Sequence, residues 1–372
     1  MSRIVQFLYK LEKEKKDANE AEKLKELQNV HEKSLADSLP VSTNLIPIAS
    51  GKGGVGKTNF SVNIALALAE ELHHFGKTVV LMDCDFGLPN ADLLLGVRPQ
   101  FNIHHFLKRR TESLAPLLSA TRYPGLMFLS GSPDAPLSLA NLNYMKRQKF
   151  MKHIQSLRAD YVLMDLGASA HYEILDFFSM TNTGILVVNP EPTSMRDVFL
   201  FLKNCIFRKF MRELRDQPDI LDLLRKFEDP DNTDIVDMGS FIDEVGTLSE
   251  GISWMKVIKT MLANFTPNIV MNRILSVEEG VTAMKNLKDE TFRYLNIKLN
   301  YLGGIFHDDK VVKAVKLSLP IYTAFPESKA VKSIIEIKKI LLNNKEFELE
   351  KNYFSFGDYL IKLFRQKPET EF

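Results

Sequence analysis

The run Gly51, Lys52, Gly53, Gly54, Val55, Gly56, Lys57, Thr58 satisfies the pattern G-x-x-x-x-G-K-[ST] in full. Glycines at these spacings let the backbone curl so that its N–H groups point inward, an arrangement that cradles phosphate oxygens. Lys57 is expected to reach the β- and γ-phosphates of a nucleoside triphosphate, and the Thr58 hydroxyl to ligate Mg²⁺. A glycine turn without a ligand can also join a strand to a helix, but the apolar strand before it, the amphipathic helix after it and the full set of key residues weigh against that reading. Asp83 and Asp85 follow in TVVLMDCDFGLPNADLLLG, and Asp165 in YVLMDLGAS. Each stands at the carboxyl end of an apolar run, where an α/β sheet binds ligands. Any one of them alone could instead cap a helix.

The elements that must position these groups are legible as apolar runs. LIPIAS, TVVLMD, LMFLS, YVLMDL, GILVVNP, NIVMN and YLGGIF read as strands, with helical patterns between most of them. That alternation predicts a doubly wound α/β fold, a mostly parallel sheet with helices on both faces. The glycine run falls between the first strand and a helix from 57 to about 74, whose dipole adds its positive end to the phosphate site. Adenine is expected near VVNPEPTSMRD, at Pro190 and Glu191, and near NIVMNRI, where Asn272 ends a strand. An amide side chain offers the base edge both a donor and an acceptor, although asparagine after a strand is also a common turn residue.

Lys52 stands inside the glycine run, as K-G-G-V-G-K-T. Here the chain resembles the deviant Walker A family that includes MinD, ParA and the flagellar regulator FlhG. The resemblance implies a P-loop NTPase of the SIMIBI type with ATP and Mg²⁺ as cofactors, hydrolysing ATP to ADP and phosphate. In that family the first lysine crosses a dimer interface to the partner's phosphates, so Lys52 joins Lys57 and Asp85 as a catalytic candidate and the protein is expected to form a homodimer on ATP. The resemblance further implies that Asp83 belongs to the Mg²⁺ shell, that Asp85 orients or activates the attacking water, and that Asn90 belongs to the same switch. Asp165, with Thr58 and Asp83 a Mg²⁺ candidate, and Gly167 are similar to the second switch, and Arg273, following Asn272, would stack on the base. FGLPNADLLLG, NPEPTS and the pattern D-x-x-V-x-x-A-V around Asp308, Asp309, Ala314 and Val315, followed by Pro320 and Pro326, look most like the FlhG and MinD branch. The likeness runs from about Ile46 to Ala330. The sequence departs from the family at Asn59, where Thr or Ser usually follows the motif, and at Leu166 and Gly167, which replace Ser-Pro. Its N-terminal extension also lacks a D-Q-A-x-x-L-R segment.

Lys plus Arg total 48 against 47 Asp plus Glu, a net charge of +1, so no global field draws the chain toward nucleic acid. Two cysteines, Cys84 and Cys205, are too few for a disulfide framework or a paired cluster site, which fits a reducing cytoplasmic setting. No run reaches the roughly 18 to 20 apolar residues of a spanning helix. Residues 1–43 read as a charged helical extension, 44–345 as the nucleotide-binding domain, and 346–372 as a tail. An insertion at about 204–256 interrupts the alternation, either beside the nucleotide site or as a lengthened crossover with a surface loop. In the tail, Phe356, Tyr359, Leu360, Leu363 and Phe364 share one helical face, with Lys362, Arg365 and Lys367 beside it. This is similar to the terminal membrane-targeting helix of MinD, and such a helix could equally pack on the body. The expectations are a spatial regulator reversibly bound to the inner face of the cell membrane through that helix, and an activating protein partner, a flagellar or division factor. Partitioning of DNA or cargo in the ParA manner is the alternative, and the near-neutral charge weighs against a nucleic-acid partner.

Overall fold

Side chains alternate along each central strand between two separate apolar layers, which is what a sheet covered on both faces requires. Val80, Met82 and Cys84 of one strand enter one layer while Val79 and Leu81 enter the other. The computed structural model describes residues 43–343 apart from 86–88, 109, 132–143, 169–170, 230 and 232. Its strands are β1 (Asn44–Ala49), β2 (Val79–Cys84), β3 (Ser119–Ala120), β4 (Leu126–Leu129), β5 (Tyr161–Leu166), β6 (Ile185–Val188), β7 (Asn268–Ile274) and β8 (Asn300–Phe306). They form one sheet in the order β3-β4-β2-β5-β1-β6-β7-β8, parallel except for the short β3 against β4. The starts of β1, β2, β4 and β5 lie level with one another. β6 and β7 are staggered, so that Ile185 and Asn268 begin level with Ile48 near the end of β1.

The helices, in chain order, are α1 (Lys57–His73), α2 (Ala91–Leu95), α3 (Ile103–Leu107), α4 (Tyr144–Gln155), α5 (Tyr172–Phe178), α6 (Pro192–Glu213), α7 (Pro218–Glu228), α8 (Met238–Thr247), α9 (Gly251–Asn264), α10 (Val277–Leu295), α11 (Asp309–Lys316), α12 (Ile321–Ala324) and α13 (Lys329–Asn343). α1 is buried on nearly every side, from Lys57 and Phe60 through Leu72. α13 packs along it, with Lys338 Nζ donating to Glu71 at 2.9 Å. Helices α6 to α9 separate β6 from β7, across the segment read as an insertion at about 204–256. Phe201, Leu202, Cys205, Ile206 and Phe210 keep α6 helical and buried to Glu213, and α7 to α9 then extend to Asn264. Phe210, Phe227 and Phe241 stack at 6.0 Å intervals and tie α6, α7 and α8 together. Among the described residues no helix is long and apolar enough to cross a membrane. The tail from 346 onward and the N-terminal extension, except Thr43, lie outside the described residues.

Candidate functional site

The glycine loop leaves the end of β1 and is clamped from two sides. A Cβ on Gly51 would lie 2.4 Å from the Asp197 carbonyl carbon of α6, so only glycine permits that approach. Gly56 has φ +92°, in the left-handed region, and a Cβ there would lie 2.5 Å from Asn272 Nδ2. That nitrogen donates to the Val55 carbonyl at 2.7 Å. Asn272, expected at the base, therefore spends its donor on holding the loop and keeps its oxygen for other work.

Lys57 opens α1 and is only 6% exposed. Its Nζ donates to Asp165 Oδ1 at 2.7 Å, and Ser61, one turn along, donates to the same oxygen at 2.8 Å. Asp165 Oδ2 is buried with no hydrogen-bond partner. Directly across the sheet, Asp83 of β2 is in register with Asp165 of β5. Asp83 accepts N–H groups from Asp85 and Asn90 at 3.0 Å and from Ala91 at 3.1 Å, so it also caps the approach to α2. Thr58 Oγ1 lies 3.4 Å from Lys57 Nζ. Asp85 follows β2, and its Oδ1 would be 3.6 Å from a Cβ on Gly167, which brings the loops after β2 and β5 together.

Burial, followed by the charge of Asp165, pushes the Asp83 carboxyl up to about 7. The folded state thus holds this proton more tightly than an unfolded chain, whose aspartate titrates near about 4. Stability from this group is full below about pH 4 and is lost as pH rises toward 7. In the ligand-free protein, Asp83→Asn is expected to flatten the fall in Tm across that window. Parallel Tm-versus-pH curves for the two proteins would show that Asp83 ionises as an ordinary carboxylate.

Lys52 points away from this carboxylate pair. Its Nζ donates to Thr193 Oγ1 at 3.0 Å and to Glu191 Oε2 at 3.3 Å, with the lysine side chain 31% exposed. Glu191, expected near adenine, thus sits beside Lys52. Neither it nor Pro190 lines the cavity of about 270 Å³ on the other flank of the loop, whose walls include Gly56, Asn59, Asn272, Arg273, Phe306 and His307. Asn59 Nδ2 is buried there without a partner. Arg273 holds φ +59°, a backbone state uncommon outside glycine, at the rim.

Sequence reasoning missed Ser61, Thr193 and the Phe306–His307 wall. Ser61 was findable, because it stands four residues after Lys57 on one helix face. The wall was signalled by its place just after a strand end, and Thr193 had no signal of its own.

A nucleotide with Mg²⁺ fits these groups. Two facing buried carboxylates, one with an unpartnered oxygen, call for a cation, and an inward-curled glycine loop with a buried lysine calls for phosphate.

The CobQ/CobB/MinD/ParA nucleotide binding domain matches residues 46–321. The antiactivator FleN of Pseudomonas aeruginosa is 26% identical over 328 residues, covering 88% of this chain and 95% of FleN. The flagellum site-determining protein YlxH of Helicobacter pylori is 30% identical over 187 residues, covering 50% of this chain and 61% of YlxH. Among solved structures, the septum site-determining protein MinD from Pyrococcus horikoshii, complexed with Mg-ADP, superposes with a TM-score of 0.50 at 19% identity. It covers 80% of this chain and 96% of that one, a likeness that concerns the fold. With the matched segment spanning most of the sequence and containing the whole of the site, this chain belongs to the CobQ/CobB/MinD/ParA family of nucleotide-binding domains.

Proposed function

We propose that the protein is an ATPase that dimerises around ATP and acts as a spatial regulator at the cytoplasmic membrane. Control of flagellar number or placement is its first role, favoured by the likeness to FleN and YlxH, and septum-site selection in the manner of MinD its second. The single observation that carries the reading is the division of labour between the two lysines. Lys57 is buried against Asp165 and serves its own phosphate site. Lys52, on the same loop, touches neither carboxylate and, among the described residues, is held at the surface by Glu191 and Thr193, which leaves it available to a second protomer.

Within one protomer, loop N–H groups and Lys57 bind the phosphates. Thr58, Asp83 and Asp165 would hold Mg²⁺, and the charge neutralisation it would supply favours phosphoryl transfer. Asp85 orients the attacking water, and Gly167 beside it lets the second switch respond to the γ-phosphate. Lys52 from the partner adds a cation where charge grows in the transition state. Nucleotide state becomes oligomeric state, and a dimer presenting two membrane-binding tails gains avidity of about 10²- to 10⁴-fold.

Asp85→Ala is expected to form a stable dimer in ATP and to lose turnover by about 10²-fold or more. Light scattering would read the mass, with ADP as the monomeric control. A monomer in both nucleotides, or full activity, would overturn the assignment.

A further inference from the structure

The edge of the sheet where β1, β2, β4 and β5 begin lies opposite the glycine loop, and hydrogen bonds knit its turns into one surface. Thr43 Oγ1 donates to the Leu157 carbonyl at 2.8 Å, and the Asn44 amide to the Asp160 carbonyl at 2.9 Å. The Thr78 amide donates to Asp160 Oδ2 at 2.9 Å, and the Val79 amide to the Gly125 carbonyl at 2.9 Å. At the apex, in the turn that ends α1, stands Phe75, 72% exposed. A single exposed apolar residue is ordinary. Its surroundings are not: His73, His74, Lys77, Arg122, Lys152 and Arg158 are all exposed along this edge. The acids of the same segments each have a partner of their own. Glu71 pairs with Lys338, Glu70 accepts from the Tyr322 hydroxyl, and Asp160 accepts from Thr78.

The last described helix also ends at this edge. α13 starts at the other edge, where the Lys329 amide donates to Asp308 Oδ2, and reaches the last turn of α1 at Lys338. Asn343 therefore ends at the Phe75 edge, and the segment that follows carries Phe356, Tyr359, Leu360, Leu363 and Phe364 in its sequence.

We propose that this edge is the membrane-facing surface of the folded domain. Phe75 enters the headgroup region of an anionic phospholipid bilayer, while Lys77 and Lys152 engage lipid phosphates. The inference rests on the membrane reading above and adds a second attachment to it, because one short amphipathic segment binds only marginally and stable attachment takes two signals. An edge with an exposed aromatic residue and exposed cations matches the bilayer interface, where aromatic rings sit at headgroup level and cations meet anionic lipid. Duplex nucleic acid would use the cations and leave the phenyl ring in water.

The test is sedimentation of the full-length protein in ATP with sucrose-loaded vesicles of phosphatidylglycerol and phosphatidylcholine, or of phosphatidylcholine alone. Wild type is expected to pellet with the anionic vesicles. Phe75→Ser is expected to lower partitioning about 10-fold and Lys77→Glu with Lys152→Glu about 10- to 100-fold, with melting curves, dimer mass and ATPase rate in the absence of vesicles unchanged. Both native cysteines are buried, so Phe75→Cys can carry an environment-sensitive fluorophore, whose emission should shift to the blue with anionic vesicles. Wild-type pelleting with unaltered partitioning of the variants and a water-like fluorophore would sink this proposal and leave tail-borne attachment standing. Wild type failing to pellet with any vesicle would sink both. Loss of duplex-DNA binding in the double variant with vesicle binding intact would make the edge a nucleic-acid face instead.

Discussion

Lys57→Ala is expected to weaken nucleotide binding by at least about 100-fold, the loss that follows when one partner of a buried, charge-assisted contact is removed. The cause is local. Lys57 Nζ is the cation in contact with Asp165, itself fully buried and in register with Asp83. Without it, triphosphate would meet two carboxylates and no lysine. The substitution also strands Asp165, and breaking a buried pair costs about 3–5 kcal/mol, reduced here to the extent that the carboxyl takes up a proton. Lost binding and lost stability are separable: Lys57→Met with Asp165→Asn should recover the melting temperature and leave ATP unbound. Isothermal titration beside thermal melts reads both quantities. Near wild-type affinity in Lys57→Ala would remove the phosphate role from this lysine.

Lys52→Ala is expected to bind ATP as well as wild type, to remain a monomer in light scattering and to lose turnover by about 10²- to 10³-fold, the usual cost of deleting one group that stabilises transition-state charge. The structure explains why the effect should be confined to assembly. The contacts of Lys52 to Glu191 and Thr193 lie at the surface, where such pairs contribute about 0.2–1 kcal/mol. A second protomer's triphosphate can therefore draw the lysine away from them. Glu191→Ala removes that competitor and is expected to strengthen ATP-dependent dimerisation by up to about fivefold. A normal dimer in Lys52→Ala would end the cross-interface role, and a weaker one in Glu191→Ala would show that the carboxylate helps the dimer rather than competing with it.

Much of this architecture was legible in the sequence for a definite reason. Strands buried on both faces read as unbroken apolar runs, and each of the seven such runs is a strand. β3, two residues long and paired at an edge, leaves no period to detect. The start of the segment read as an insertion at about 204–256 has no visible edge, because α6 continues through 204 with Phe201, Cys205 and Phe210 at core spacing and no break in pattern marks it. The phosphate loop and the strand-end carboxylates were readable because their positions are fixed by a contiguous motif and by the parallel topology. The flank of the loop that Glu191 takes was not legible, because nearness to a strand end says nothing about which side a side chain faces. That is decided by the reach of Lys52, a contact between residues 139 apart in the chain. Asn59 and His307, on the walls of the cavity beside Asn272, likewise come together only through the closing of the sheet.

The helix α1 has Lys57 as its first residue and delivers the Phe75 turn at its last. Its 17 residues make a rod of about 25 Å, and the flank-to-flank packing of Phe60 through Leu72 denies it any place to kink. A tilt of only about 5° at the phosphate end would swing the phenyl ring by about 2 Å at that length. Were a bound triphosphate to tilt the helix, the far end would move most, as the tip of a lever arm does.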